Sequence, residues 1–408
     1  MKKIVVIDDD ASMRHVLSAI LEDEGYAVST ADDGPSGINL VRREKPDMVL
    51  LDLLMPGMHG FEVFQRLKEL ESLRSTKILI VSSKSYPRDI KTAQELGVDG
   101  YLIKPFELHD LKEKVRHLIE GGGAPAQLRF WGTRGSIPAP GSQTQRYGGN
   151  TACTELKIGS RTIIIDAGTG LRELGQRLIK ESAGQPVQAD LFIGHTHWDH
   201  IQGFPFFTPL YDSRNRLMLY GSRGTDRSFK EVMSGQMTDP YFPVALSEVA
   251  AALSFAELSQ PVELDGIKVT THYLNHPGIT IGFRFQSRNW SVAYISDHEP
   301  YAKLQGSKFS EEDEKIAQFV QGADLLISEA QYTDEEYRIK KRWGHSTFSD
   351  VVTLAERAQV KKLALFHHDP THTDEMMDRF VDHCREHVVK NRIKVECFAA
   401  QEGMSLKL

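Results

Sequence analysis

The sequence predicts an α/β protein of two domains, the first a doubly wound five-stranded parallel sheet over residues 1–120 and the second a larger unit over 128–408. Three observations predict it. A chain of 408 residues is too long for one typical core and suits two. Before residue 120, five short apolar runs alternate with segments of helical periodicity. Further on, an apolar run ends in His195-Thr196-His197-Trp198-Asp199-His200, which places four metal-ligating side chains at the end of one strand.

Composition narrows the class. A charged fraction of 26% and a hydrophobic fraction of 40% are ordinary for soluble globular protein. The net charge of -7 excludes an overall basic footprint for nucleic acid and leaves room only for a local basic groove. Cys153, Cys384 and Cys397 are far apart and odd in number, so a disulfide framework is not expected and a reducing cytoplasm fits. The first apolar run meets Asp8 too soon for a signal peptide, and no run is long enough to span a bilayer. A cytoplasmic protein without a membrane partner is the expectation.

In the first domain, Ile4–Ile7, Ala27–Thr30, Met48–Leu51, Ile78–Val81 and Tyr101–Ile103 read as strands. Between them apolar residues recur at helical spacing, as in Met13, Val16, Leu17, Ile20 and Leu21. In such sheets the functional crevice lies beyond the carboxyl ends of the strands. Asp8, Asp9 and Asp52 stand at those ends, with Ser82 after the fourth strand and Lys104-Pro105 after the fifth. Clustered carboxylates repel unless a cation joins them, and Mg²⁺ takes such hard oxygen ligands. A lysine can pair with a phosphoryl oxygen, so the set suits phosphoryl transfer onto a carboxylate. Helix N-capping is the plainer reading, and the better one for Asp10.

This pattern, with the Met55-Pro56-Gly57 turn after Asp52, resembles the receiver domain of bacterial response regulators. The resemblance implies that Asp52 accepts a phosphoryl group from a sensor histidine kinase or phosphotransfer protein. It implies Mg²⁺ held by Asp8, Asp9, Asp52 and the carbonyl of Leu54, and switch positions at Ser82 and Tyr101 beside Lys104. Phosphorylation would change the face of the fourth and fifth β-α units, which then docks on the second domain or forms a homodimer.

Gly121-Gly122-Gly123-Ala124-Pro125-Ala126 marks a linker over 121–127, short enough that the domains are expected to touch. Leu128–Trp131 reads as the next strand. Gly132-Thr133-Arg134-Gly135-Ser136 opens an irregular loop, and Tyr147-Gly148-Gly149-Asn150 a tight turn. Thr154–Ile158 and Thr162–Ile165 read as a hairpin that ends at Asp166. Leu191–Gly194 leads into the histidine motif, where His195 and His197 point the same way from extended chain. The aromatic stretch Gln202–Pro243 reads mainly as core, with some residues free to wall the site. His276, Asp297 and His367 each follow an apolar strand: Ile267–Leu274, Ser291–Ile295 and Leu363–Phe366.

The His-x-His-x-Asp-His stretch resembles the signature of the metallo-β-lactamase superfamily. The resemblance implies an αββα sandwich with two divalent metal ions at one edge, zinc first, with manganese or iron also accepted by this donor set. His195, His197 and His276 would form one site and Asp199, His200 and His367 the other, with Asp297 bridging. His367 is preferred to its neighbour His368, and Asp166 orients the ligand loop without binding metal. Two ions about 3.5–4 Å apart clamp the attacking and leaving oxygens of a displacement. A diiron redox role is disfavoured, because that branch carries an acid where His197 stands.

Gly344-His345-Ser346-Thr347-Phe348 resembles the His-Ser-Thr element of ribonuclease Z-like phosphodiesterases. The resemblance implies that His345 stabilises the phosphoryl transition state or protonates the leaving group, oriented by Glu329, with Asp199 a further proton acceptor. The plainer reading is an N-capping Ser-Thr pair beside a surface histidine. The Gly132–Ser136 loop resembles the same branch, and Arg134 reads equally as a phosphate contact or a surface arginine. A response regulator whose output is a phosphodiesterase, acting on cyclic nucleotides or dinucleotides, is therefore the first expectation. Hydrolysis of a carboxylic ester, lactone or thioester is the second. The third is an interaction module whose metal site is structural.

Overall fold

A computed structural model describes residues 1–70, 73, 76–84, 92–93, 96–120, 126–307 and 309–408. The chain divides into two compact units, Met1–Ala124 and Pro125–Leu408.

The first unit is built on β1 (Lys3–Ile7), β2 (Ala27–Ala31), β3 (Met48–Leu51), β4 (Lys77–Ser82) and β5 (Gly100–Ile103), ordered β2-β1-β3-β4-β5 with every pair parallel. Strands of a parallel sheet are covered on both faces, which is why these read as continuous apolar runs. Ile4, Val6, Leu50 and Leu79 pack toward α1 (Ala11–Asp23) and α4 (Leu108–Glu120). Val5, Ile7, Val49 and Leu51 pack toward α2 (Gly34–Glu44) and α3 (Gly60–Lys68). Asp10 caps α1, accepting the amides of Ser12 and Met13. Most of the chain between β4 and β5 lies outside the described residues, and with it much of the proposed switch face of the fourth β-α unit.

The second unit holds two seven-stranded sheets. The first contains β6 (Ala126–Gly132), β7 (Cys153–Ile158), β8 (Arg161–Ile165), β9 (Gln188–Phe192), β10 (Arg216–Gly221), β11 (Ala252–Glu257) and the late strand β19 (Ser405–Lys407). The second contains β12 (Val262–Leu264), β13 (Ile267–Leu274), β14 (Thr280–Gln286), β15 (Ser291–Ile295), β16 (Leu325–Glu329), β17 (Lys362–Phe366) and β18 (Glu396–Ala399). Each sheet passes from antiparallel to parallel pairing along its width, the change falling at β8 in one and β15 in the other. The sheets meet through large rings: Phe192 contacts Phe283 and Phe285, and Phe130 contacts Phe366. The helix Leu171–Glu181 packs on the first sheet, and Glu311–Phe319, Phe348–Arg357 and Asp374–Lys390 pack on the second. The layers are therefore helix, sheet, sheet, helix.

One boundary differs from expectation. Residues 121–125 of the expected linker lie outside the described residues, but Ala126 and Gln127 already belong to β6. They pair with Ile158 and Lys157, and Gln127 also with Lys407. A partner from so far along the chain leaves no local trace near residue 126. In the aromatic stretch, Phe204, Phe207, Phe229 and Met233 are core, whereas Phe206 and Tyr241 are exposed.

Candidate metal centre and phospho-acceptor crevice

The receiver crevice forms where β1, β3, β4 and β5 end. Carboxylate oxygens of Asp8, Asp9 and Asp52 come within 4.8 Å of one another. Lys104 reaches in from β5, its Nζ 2.7 Å from Asp8 Oδ2 and 2.9 Å from Asp52 Oδ2. Burial pushes the Asp8 carboxyl up in spite of that lysine. One ammonium against three acids leaves negative charge in excess, which fits a hard dication. Leu54 donates its amide to Asp52 Oδ1 at 3.1 Å, so the turn after β3 is tied to that carboxylate. Ser82 is fully buried, and the Tyr101 hydroxyl donates to the Lys84 carbonyl at 2.8 Å.

The second centre forms at the strand ends of both sheets. β9 delivers His195, and His197 precedes the short helix Trp198–Ile201, which carries Asp199 and His200. β13, β15 and β17 deliver His276, Asp297 and His367. Three groups result: His195 with His197, His276 and Asp297; Asp199 with His200, His367 and Asp297; and a smaller one of Glu329, His345 and His367. Asp297 belongs to the first two. Its Oδ2 lies 3.0 Å from His195 Nε2, and its Oδ1 lies 3.1 Å from His367 Nε2.

The donor atoms face one another rather than other partners. His200 Nε2 lies 3.2 Å from His367 Nε2, and His276 Nε2 lies 3.1 Å from His197 Nδ1. His195 Nδ1 is buried without a hydrogen bond, and the Asp297 carboxylate is the partner beside its Nε2. Burial pushes His195, His197 and His276 down, toward the neutral imidazole that binds metal. Inward-facing lone pairs and carboxylates in this number fit two borderline divalent cations.

A surrounding layer fixes these side chains. Asp166 accepts the Gly194 amide at 2.8 Å through Oδ1, while its Oδ2 takes His200 Nδ1 at 2.8 Å and the Tyr294 hydroxyl at 2.6 Å. That contact leaves His200 Nε2 to face the centre. Ser136 donates its amide to Asp199 Oδ2 at 2.7 Å. Gly135 packs so closely on His367 that a Cβ would stand 2.3 Å from its Nδ1.

Two supports escaped the sequence reading. His276 Nδ1 donates to the Gly344 carbonyl at 2.8 Å, and a Cβ on Gly344 would come 2.2 Å from that nitrogen. Glu299 is buried and accepts the amides of Arg342 at 2.8 Å and Gly344 at 3.0 Å. Its place two residues after Asp297 was the only available signal.

His345 lies in this centre and not on the surface. Its ring stacks on His367 at 5.3 Å between centroids and stands 5.1 Å from that of His276. Burial pushes it down to about 3. Glu329 Oε2 is 3.8 Å from His345 Nδ1, too far for a hydrogen bond. Glu329 instead accepts the backbone amides of Ser346, His298 and Gln331, and so fixes the chain that carries His345. Thr347 caps the following helix in a reciprocal pair with Asp350. The capping reading thus holds for Thr347 and fails for His345. A cavity of about 220 Å³ opens onto the centre, lined among others by Ser136, His197, His276, Trp343 and His345.

Arg134 requires correction. It is neither a surface residue nor a phosphate contact. Fully buried, it donates Nε to the Gly148 carbonyl at 2.7 Å and Nη1 to those of Asp369 and His372 at 3.0 and 2.7 Å. Side-chain direction in an irregular loop depends on which distant segments close over it. His368 also turns away, its Nε2 2.9 Å from the Ala400 carbonyl.

Comparison with known proteins agrees with this division. The response regulator receiver domain family matches residues 4–116, and the β-lactamase superfamily domain matches residues 161–368, just over half of the chain. A probable transcriptional regulator, ycf27, from Porphyridium aerugineum is 38% identical over 118 residues, covering 29% of this chain and 48% of its own length. The DNA-binding response regulator MtrA from Mycobacterium leprae is 32% identical over 158 residues, covering 38% of this chain and 68% of its own. The chain thus spans about half the length of the first of these relatives. The metallo-β-lactamase fold protein YhfI from Bacillus subtilis aligns over 70% of this chain and 100% of its own, with a TM-score of 0.52 and 18% identity, a likeness of fold. Among the described residues no helix is long and apolar enough to cross a membrane. The chain belongs to the β-lactamase superfamily, with a response regulator receiver domain fused ahead of the metallo-β-lactamase fold.

Proposed function

We propose that the second unit is a dinuclear-metal phosphodiesterase whose output is set by phosphorylation of Asp52. The observation that carries the reaction class is the position of His345. Of the histidines lining the cavity, it alone stands outside the two groups that share Asp297, grouping instead with Glu329 and His367. A phosphodiester brings an anionic phosphoryl group and a leaving oxygen that needs a proton. His195, His197 and His276 would hold one ion, Asp199, His200 and His367 the second, with Asp297 shared. Zinc suits the set, and manganese or iron would also be accepted. Such ions supply Lewis acidity toward phosphoryl oxygens and activate water near neutral pH. His345, kept neutral by its burial, would steady the leaving oxygen by donating its ring N–H and protonate it only if the bound substrate's charge raised it, with Glu329 holding its backbone. Asp199, fixed by the Ser136 amide, is placed to accept a proton.

In the receiver, Asp52 takes its phosphoryl group from a histidine kinase or phosphotransfer protein. Mg²⁺ bound by Asp8, Asp9, Asp52 and the Leu54 carbonyl would neutralise the crevice. Lys104 pairs with the phosphoryl oxygens, and Ser82 and Tyr101 respond to the new charge.

The test is hydrolysis of bis(p-nitrophenyl) phosphate by protein of measured metal content, beside p-nitrophenyl acetate. Metal-dependent cleavage of the diester is the expected result. Cleavage of the acetate alone overturns the reading in favour of ester hydrolysis. His345→Ala is expected to lower kcat about 10²- to 10⁴-fold with metal retained. Loss of metal in that variant would make His345 a ligand instead.

A further inference from the structure

Immediately before His345 the chain reads Arg338-Ile339-Lys340-Lys341-Arg342-Trp343. Four cations in five residues stand out in a chain of net charge -7. Lys340 is engaged, its Nζ 2.9 Å from Asp369 Oδ2 and 4.4 Å from the centre of the Tyr332 ring. Arg338, Lys341 and Arg342 are exposed, and no ion pair occupies their side chains among the described residues. The acids at the start of the same helix are partly spent elsewhere: Asp334 pairs with Lys303 and Glu336 with His372. Trp343 is 60% exposed and lines the cavity beside His276 and His345.

This segment is held in place. Thr333 and Glu336 cap the helix Asp334–Lys340 reciprocally. Glu299 accepts the amides of Arg342 and Gly344, so the backbone is pinned on both sides of Trp343. An exposed indole on a fixed backbone binds without first being ordered.

We propose that Arg338, Lys341, Arg342 and Trp343 form a docking element for a single-stranded oligonucleotide. One base stacks on Trp343, its neighbouring phosphates lie along the three cations, and the adjoining phosphodiester enters the cavity. The inference rests on the phosphodiesterase reading and narrows its substrate. Charge complementarity argues for it, since cations alternating with an aromatic face are the means by which single strands are bound without sequence preference. Continuity argues for it too, because Trp343 belongs both to this segment and to the cavity wall. A cyclic mononucleotide carries a single phosphate, which the metal centre would take, and leaves Arg338 and Lys341 without a counterpart.

The experiment measures binding of a fluorescein-labelled single strand of about ten nucleotides to the full-length chain by anisotropy, across a salt series. Trp343→Ala is expected to weaken binding on the order of tenfold, with Trp343→Phe recovering most of it. Arg338→Ala combined with Lys341→Ala is expected to lower the salt slope by about 1.4, two contacts at about 0.7 each. The duplex of the same sequence is expected to bind more weakly, because its bases are already stacked. Unchanged affinity and slope in both variants overturn the proposal, as does absence of binding by the unaltered chain. Equal binding of polyglutamate of matching length overturns it in favour of an acidic-protein surface. Hydrolysis of bis(p-nitrophenyl) phosphate by the same preparation separates the two claims. Cleavage without oligonucleotide binding removes only the docking element, whereas absence of cleavage removes the reading beneath it.

Discussion

The receiver crevice and the metal centre solve the same electrostatic problem in opposite ways. Both gather acids at the ends of strands. In the crevice the acids come from two strand ends of one sheet, Asp9 stays exposed, and Lys104 already supplies a resident cation. In the metal centre the donors come from both sheets, most are buried, and no lysine or arginine forms an ion pair with Asp199 or Asp297 among the described residues. A site with its own ammonium tolerates the loss of its dication. A site built from imidazoles and carboxylates that face inward depends on one. The first arrangement suits a switch that is charged and discharged, and the second suits a permanent cofactor.

The largest expected effect that would break this contrast is at Asp297, the residue common to both ligand groups. Asp297→Ala is expected to abolish metal retention and to lower diester hydrolysis by at least about 10³-fold, while acetyl phosphate still labels Asp52. Metal analysis and phosphate labelling on one preparation check it. Full metal content in that variant would mean the two groups do not share a carboxylate.

A smaller effect is expected at Gly344, where the contrast rests on support rather than on ligands. Gly344→Ala would push its Cβ into His276 Nδ1. Metal affinity is expected to fall about 10- to 100-fold, read by competition with a chromophoric chelator. An unchanged affinity would show that the ligand tolerates a rotated ring.

The smallest expected effect on the metal centre is from the receiver. Asp52→Asn is expected to end phosphate labelling and leave metal content unaltered, with hydrolysis no longer responsive to acetyl phosphate. A variant that still responds would place regulation outside Asp52.

Legibility followed the range of the interactions involved. The five receiver strands and the cluster of Asp8, Asp9 and Asp52 were readable because period and punctuation are local. The same holds for His195 to His200, six consecutive residues at a strand end. His276, Asp297 and His367 became readable only through the family resemblance, since an isolated histidine after a strand is usually structural. Glu299, Gly344 and the amide of Ser136 were not readable, because each acts through a backbone contact to a ligand far off in sequence. Arg134 was misread for the same reason. Glu329 was read as the partner of His345, whereas the structure spends it on three amides. The basic run before Trp343 was concealed within the acidic average of the whole chain.

Arg134 also bears on the order in which the second unit assembles. It links a loop early in that unit to carbonyls more than two hundred residues later, Asp369 and His372. The adjoining Gly135 and Ser136 rest on His367 and Asp199. The wall over the metal centre therefore cannot close until β17 has joined its sheet. Contacts of such separation form late in folding. During synthesis the histidine motif emerges long before its enclosure, and a metal ion captured then would meet an open, partial ligand set. Tight metal uptake and completion of the fold become a single closing event, so the metal affinity of this protein is also a measure of how far its chain has finished folding.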